Sequence, residues 1–160
     1  MRGVGPGEGD PFQLSRFVEA QASSFEQARA ELARGQKRSH WMWFIFPQIR
    51  GLGSSSTAQH YAISGLEEAQ AYLRHPVLGA RLRECTALVN GVQGRTVGSI
   101  FGYPDDLKFH SSITLFDQAS EDQASGDQAS GTVFSQALAL YFDGVPDLAT
   151  LRLLGRSGKG

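Results

Sequence analysis

The chain has 160 residues and a mass of 17.3 kDa, which is the usual length of one domain. Hydrophobic residues make up 41% and charged residues 19%, so the composition differs from that of disordered proteins. The formal charge of −1 lacks the basic excess of non-specific nucleic-acid binders, so no nucleic-acid partner is indicated. The single cysteine, Cys85, excludes an internal disulfide, and no apolar run reaches the ~20 residues of a transmembrane helix.

Both ends of the chain are rich in glycine and offer little to bury. Residues 1–9 hold four glycines and one proline and lack the apolar core of a secretory signal, so we expect a flexible tail and a cytoplasmic location. Residues 155–160 have the same character, which leaves residues 10–154 as the expected single domain. Within it, Asp-Gln-Ala-Ser occurs three times in residues 117–131 without a large apolar residue, which predicts a surface-loop insert.

Apolar residues recur at helical spacing through most of the body, whereas strand signals are scarce. Asp10, followed by a proline and by Gln13, resembles a helix cap, so the sequence predicts a first helix from Asp10 to Gly35. Ser64 and Glu67 form a second predicted capping box. Further helices are predicted to begin at Pro76, at Pro104, near Phe134 and at Asp147, with a single turn over Thr96 to Phe101.

Six consecutive apolar residues, from Trp41 to Phe46, precede Pro47. A run this short is assigned neither to a strand nor to a buried helical segment by its periodicity. We expect it at the centre of the molecule in either case, because burying four aromatic rings at about 1.5 to 3 kcal/mol each is a large contribution to folding. The predicted fold class is therefore mainly α, a compact helical domain around a central aromatic segment, with little or no sheet.

Two polar segments adjoin this predicted core, Lys37 to His40 and Asp105 to Thr114. If they meet in space, they combine aromatic walls, cations, hydroxyl groups and carboxylates, which suits a ligand with a flat ring and phosphate groups. The alternative is that the aspartates cap a helix, the cations are solvated and the hydroxyl groups satisfy nearby backbone. On a helix, one flank of the second segment carries Asp105, Lys108 and Ser112, and the other carries Asp106, His110 and Thr114.

The remaining motifs lack the spacing of established sites. No metal site is predicted, because no two of the four histidines show i, i+4 pairing and none has a Cys-x-x-Cys partner. The segment from Gly51 to Thr57 lacks the Gly-Lys-Ser/Thr ending of a P-loop, which favours a flexible loop. No nucleophile elbow occurs either, so no motif names a reaction or a cofactor, and whether the protein is an enzyme stays open.

Six strings of the sequence are similar to one known family: Asp10 to Phe17, Arg38 to Gln48, Tyr61 to Ile63, His75 to Gly79, Asp106 to Phe109, and Ser111 to Phe116. On these strings the chain resembles the bacterial domain of unknown function 1810 family from about residue 10 to 154. The resemblance implies a small, mainly helical cytoplasmic domain with no established activity. Members are sometimes labelled calpastatin, but inhibitors of that kind are disordered and repetitive, whereas this chain carries an aromatic core.

The leading hypothesis is binding or processing of a small phosphorylated or nucleotide-like molecule, of the NAD or ADP-ribose class, between the two polar segments. The alternative is a non-catalytic protein–protein interaction domain. The sequence indicates neither a cofactor nor an oligomeric state. The candidate acid and base are His40 and Asp106, and the candidate ligand-binding residues are Lys37, Arg38, Ser39, Trp41, Trp43, Gln48, Tyr61, Lys108, Ser111, Ser112 and Thr114.

Overall fold

The computed structural model describes residues 9–123 and 132–156, and these form ten helices and one isolated parallel bridge between Ile49 and Ile63. The predicted fold class, mainly α with little or no sheet, is confirmed. No helix of the described part is long and apolar enough to cross a bilayer. The helices are α1 (Ser15–Ala22), α2 (Phe25–Ala33), α3 (Met42–Ile45), α4 (Ser56–His60), α5 (Leu66–Arg74), α6 (Leu78–Asn90), α7 (Val97–Phe101), α8 (Asp105–Gln123), α9 (Val133–Phe142) and α10 (Leu148–Leu153).

The first predicted helix is in fact two helices, α1 and α2, and it starts later than predicted. Gln13 has a left-handed backbone conformation with φ of 56°, which a right-handed helix does not accommodate. The Asp10 carboxylate instead accepts hydrogen bonds from the backbone N–H groups of Leu14 and Ser15, at 2.6 and 2.9 Å. Asp10 therefore does satisfy the free N–H groups at a helix start, but that start lies at Ser15.

The predicted capping box before α5 uses a different acid. Ser64 donates from both its backbone N–H and its hydroxyl group to the carboxylate of Glu68, at 2.8 Å each. Glu67, the predicted partner, is exposed, whereas Glu68 is buried. The prediction of a helix start was correct and the predicted acid was wrong by one residue, because Glu68 also has a cationic partner, described below.

Helix α8 occupies the centre of the core, where it packs against α5, α7, α9 and α10. Its Phe109, Ile113 and Phe116 side chains are fully buried, as their helical spacing predicts. The aromatic run is resolved as the one-turn helix α3 with its flanking residues. Trp41 and Phe46 are buried, whereas the two rings between them are only half-buried, so two of the four rings contribute less burial than expected.

Helices α5 and α6 approach each other closely at Gly79. A Cβ atom on Gly79 would lie 2.1 Å from the carbonyl oxygen of Leu73, so only glycine fits there.

Farther along α6, Cys85 is fully buried, and burial raises the pKa of its thiol to about 12. This thiol remains protonated at neutral pH and acts as a small core residue, as the apolar stripe predicts.

Part of the predicted surface insert is helical. Residues 117–123 continue α8, and Asp117 and Ala119 are buried within it, whereas residues 124–131 lie outside the described residues. The apolar stripe of α8 extends farther than the tetrapeptide pattern indicates, because Ala119 lies three residues after Phe116. Most residues of the two predicted tails, 1–8 and 157–160, also lie outside the described residues.

Candidate functional site

The backbone between α2 and α3 is organised by Glu31, a buried acid on α2. Its carboxylate accepts four hydrogen bonds, from the backbone N–H groups of Arg38 and Ser39, the Ser39 hydroxyl group and the Trp41 indole N–H, at 2.6 to 3.0 Å. Burial alone would raise the pKa of Glu31, but these hydrogen bonds lower it to about 2. An ionised carboxylate thus fixes the polar segment that precedes the tryptophans.

The two predicted polar segments meet at an ion pair. The Lys37 ammonium lies 2.8 Å from Oδ2 of Asp105, the first residue of α8, and it also donates a hydrogen bond to the Ser39 carbonyl oxygen at 2.5 Å. The Lys37 backbone N–H donates to the carbonyl of Ile100, which attaches this segment to α7. Because the Lys37 side chain is only 8% exposed and lies 5.0 Å from the centre of the Trp41 ring, it is firmly held.

A second lysine, Lys108, shares the same carboxylate but is held more loosely. Its ammonium lies 3.6 Å from Oδ1 of Asp105 and 5.3 Å from the ring centre of Trp43, and its side chain is 28% exposed. We call Lys37, Trp41, Trp43, Asp105 and Lys108 the lysine–indole cluster. It places two cations against one carboxylate, with each cation over one indole ring.

Two more predicted ligand-binding residues lie beside Trp43. Gln48 and Tyr61 line, together with Trp43, a recess of about 10 Å³. This volume is on the scale of a single water molecule, so the recess itself holds no organic ligand. The aromatic contacts of Tyr61 are with Phe17, Phe44 and the His60 ring, so Tyr61 belongs to the wall behind Trp43.

Two of the three hydroxyl residues predicted on α8 contact α10 instead of the lysine–indole cluster. Ser111 donates to the Asp147 carboxylate at 3.0 Å, and Thr114 accepts a hydrogen bond from the Asp147 backbone N–H at 2.9 Å. Both therefore hold the start of α10 against α8. The Ser112 hydroxyl group is fully buried and has no hydrogen-bond partner within the described part of the chain.

The remaining candidates lie at the rim of the cluster or behind it. His40 and Arg38 are exposed, and the Arg38 guanidinium donates to the Gln36 side chain at 3.3 Å. The Ser39 hydroxyl group is engaged, because it donates to Glu31 and accepts from the Gln27 amide. The Asp106 carboxylate accepts a hydrogen bond from the backbone N–H of Leu107, within the first turn of α8.

A larger depression lies at the start of α1, beside the end of α4. This groove has a volume of about 560 Å³, and we call it the α1 groove; it is lined by Asp10, Gln13, Ser15, Arg16, Glu19, Ala20, His60 and Tyr61. Its central cation, Arg16, is 2.9 Å from the buried carboxylate of Glu68. The Arg16 guanidinium also donates to four backbone carbonyl groups, those of Phe12, Gln13, His60 and Ala62. The N–H donors of Arg16 are thus occupied by the protein itself, and Arg16 holds these four carbonyl groups and Glu68 together.

Comparison with known proteins places the chain in a family. The model of the family described as "Protein of unknown function (DUF1810)" matches residues 11–154. The chain belongs to this family. It is similar to the conserved hypothetical protein Rv1873 from Mycobacterium tuberculosis, with a TM-score of 0.85 and 53% sequence identity over 92% of this chain and 100% of that one. No curated protein matches the DUF1810 chain.

Sequence reasoning missed two important residues of this DUF1810 domain, Glu31 and Arg16, whereas Asp105 lay in a predicted polar segment. The first was hidden because glutamate on a helix is usually solvated. A signal was nevertheless present, since Glu31 lies three residues after the buried Ala28 and therefore borders the apolar stripe of α2. Among the described residues, no group of three or more His, Cys, Asp or Glu side chains is placed to hold a metal ion.

Proposed function

We propose that this protein binds a small phosphorylated or nucleotide-like molecule, of the NAD or ADP-ribose class, at the lysine–indole cluster. The proposal is carried by one observation, the ammonium of the partly exposed Lys108 side chain 5.3 Å from the ring centre of the partly exposed Trp43. This contact places a replaceable cation beside a flat aromatic surface. A phosphorylated ligand with a planar ring needs both groups side by side.

The contacts that hold Lys108 are weak enough to be exchanged for a ligand. A partly exposed ion pair contributes at most about 1 kcal/mol, and an exposed cation–π contact contributes about 0.5 to 1 kcal/mol. A charge-assisted hydrogen bond from the ammonium to a phosphate oxygen is stronger than either. On binding, the Lys108 side chain rotates from the indole to the phosphate, and the ring of the ligand stacks on the surface of Trp43.

The other members of the lysine–indole cluster keep this surface in place. Lys37 and Asp105 join the segment before α3 to the start of α8. The Glu31 carboxylate fixes Trp41 by accepting a hydrogen bond from its indole N–H. If the bound molecule is also processed, the exposed His40 and Asp106, the residue after Asp105, are the candidate acid and base. The binding proposal does not depend on this second step.

The test separates the ring from the phosphate. Thermal denaturation and isothermal titration calorimetry are measured with adenosine 5′-monophosphate, ADP-ribose and NAD, and with adenosine and ribose 5-phosphate as half-ligands. We expect the complete ligands to raise the melting temperature, because a ligand at 100 times its Kd adds about 2.7 kcal/mol to the free energy of unfolding. Each half-ligand lacks one of the two contacts and should bind at least tenfold more weakly.

Two variants localise the binding. Lys108→Ala should abolish the thermal shift while leaving the circular dichroism spectrum unchanged, because the side chain is partly exposed. Arg34→Ala, which removes an exposed cation just after α2, is the matched control and should keep the shift. An absence of any shift with the wild-type protein, or the same shift in Lys108→Ala, would overturn the proposal.

A specific observation favours the second candidate function, a non-catalytic interaction domain. Leu107 on α8 and the nearby Val145 and Leu148 are each about half exposed, at 52%, and Tyr103 is 83% exposed. His110 and Ser111 link these residues, since His110 contacts the Val145 carbonyl and Ser111 bridges Leu107 to the start of α10. Sedimentation velocity tests this surface, because Leu148→Ser should reduce any concentration-dependent association of the wild-type protein.

A further inference from the structure

We infer that the Asp105 carboxylate competes with the ligand for Lys108. In the free protein, the Lys108 ammonium is therefore already paired with an internal anion. The inference rests on the proposed function. It assigns to Asp105 a role that opposes ligand binding, in contrast to the supporting roles of its neighbours in the lysine–indole cluster. It also identifies the phosphate as the part of the ligand whose binding Asp105 weakens, because only a negatively charged group is affected by such a competitor.

The geometry of the carboxylate carries the first step. Its two oxygens face different cations, Oδ2 toward Lys37 at 2.8 Å and Oδ1 toward Lys108 at 3.6 Å. A carboxylate with a cation on each oxygen partly neutralises the Lys108 ammonium to which an incoming phosphate group would bind. Asp105 is 19% exposed, so solvent only partly screens its charge from an anion that approaches Lys108.

The second step is the unequal hold on the two lysines. Lys37 has three partners, namely Asp105, the Ser39 carbonyl oxygen and the Trp41 ring, and it is 8% exposed. Lys108 has the longer ion pair and the greater exposure. An incoming anion therefore displaces the contact between Lys108 and Asp105, while the contact between Lys37 and Asp105 persists and keeps a negative charge beside the bound phosphate.

This arrangement predicts an unusual result, in which removing a charged residue from the site strengthens binding. Removing one negative charge within about 4 to 6 Å of the phosphate, in a partly solvated site, should lower the Kd about tenfold. Asp105→Asn should therefore bind adenosine 5′-monophosphate about tenfold more tightly than the wild-type protein does. Adenosine, which carries no charge, should bind equally to both proteins, and this difference separates charge repulsion from any change in the shape of the site.

A matched control and a second variant keep the test decisive. Glu67→Gln, which removes one exposed negative charge from the first turn of α5, should leave the Kd for adenosine 5′-monophosphate unchanged. If Asp105→Asn does not fold because Lys37 is left buried without its counter-ion, the double variant Lys37→Met with Asp105→Asn removes both charges. The double variant retains Lys108 without its competitor, so it should bind the nucleotide more tightly than Lys37→Met alone, which lacks the same lysine but keeps Asp105.

The outcomes distinguish this inference from the proposed function. If wild-type protein binds the nucleotide and Lys108→Ala does not, the proposed function holds. If, in addition, Asp105→Asn binds no more tightly than wild type, or, where Asp105→Asn does not fold, the double variant binds no more tightly than Lys37→Met, the competitor role is wrong while the site remains. If the wild-type protein binds none of the probes, the two fail together. Equal gains for the nucleotide and for adenosine would likewise overturn the competitor role.

Discussion

The lysine–indole cluster and the α1 groove contain the same kinds of groups but use them differently. In the α1 groove, Arg16 pairs with Glu68 and donates to four carbonyl groups, so its capacity for hydrogen bonds is spent within the protein. In the lysine–indole cluster, Lys108 retains a long ion pair and a cation–π contact. In this protein, the volume of a depression is therefore a poorer guide to anion binding than the number of hydrogen-bond donors that its cations leave available.

The largest expected effect tests how the aromatic run divides between core and site. Trp41→Ala should lower the free energy of unfolding by about 3 to 5 kcal/mol, because it empties a fully buried volume. Trp43→Ala should cost only about 1 to 2 kcal/mol, because its ring is half-buried. Urea denaturation measures both values. Equal losses would show that the two indoles do not differ in burial as described.

The second prediction concerns the acid that supports the lysine–indole cluster. The pKa of Glu31 is lowered from 4.5 to about 2, so ionised Glu31 stabilises the fold above pH 4.5, and this contribution is lost as the pH falls through 2. A shift of this size corresponds to about 3 kcal/mol at neutral pH. Glu31→Gln should therefore be less stable than wild type by about 2 to 3 kcal/mol at pH 7.

The pH dependence provides the control for this prediction. The difference in free energy of unfolding between Glu31→Gln and wild type should shrink as the pH falls from 4.5 toward 2, since the unfolded wild-type chain binds a proton at Glu31 in this range whereas the folded protein does so only near pH 2. Urea denaturation at several pH values measures it. A difference that stays constant over this range would mean that the charge of Glu31 does not support the fold.

The smallest of the three effects tests whether Arg16 stabilises the fold by joining four carbonyl groups and the Glu68 carboxylate. Arg16→Lys preserves the charge, but one ammonium group cannot reach four carbonyl groups and the Glu68 carboxylate together. The expected loss is about 2 kcal/mol, measured by urea denaturation. Arg34→Lys, at an exposed position, should change the stability by less than about 0.5 kcal/mol. A similarly small loss for Arg16→Lys would instead leave its donors available to a ligand.

The sequence was sufficient to predict the helical class and the core face of α8, because Phe109, Ile113 and Phe116 repeat at helical spacing. It also predicted the two segments that meet at Lys37 and Asp105, since both place polar groups beside the aromatic core. The break between α1 and α2 could not be predicted in the same way. The break falls at Ser23 and Ser24, and α1 itself starts later than predicted because Gln13, which precedes it, has a left-handed conformation.

The polar supports of the site were the hardest features to predict. Glu31 and Glu68 are buried because each meets several donors outside its own helix, and for Glu68 these include the distant Arg16. A helical pattern alone assigns such residues to the solvent face. Gln21 gives the same lesson, because it lies four residues after the buried Phe17 and donates to Tyr72, on another helix. A polar residue at a stripe position was the available signal.

The contact at Gly79 links the outer helices to the centre of the molecule. A methyl group at this position would act as a wedge between α5 and α6, because the carbonyl of Leu73 already fills the space. Helix α5 carries Tyr72, whose ring packs against Phe116 of α8. A displacement of α5 would therefore also shift α8, the helix that begins with Asp105. The absence of a side chain at Gly79 thus contributes to the alignment of α8.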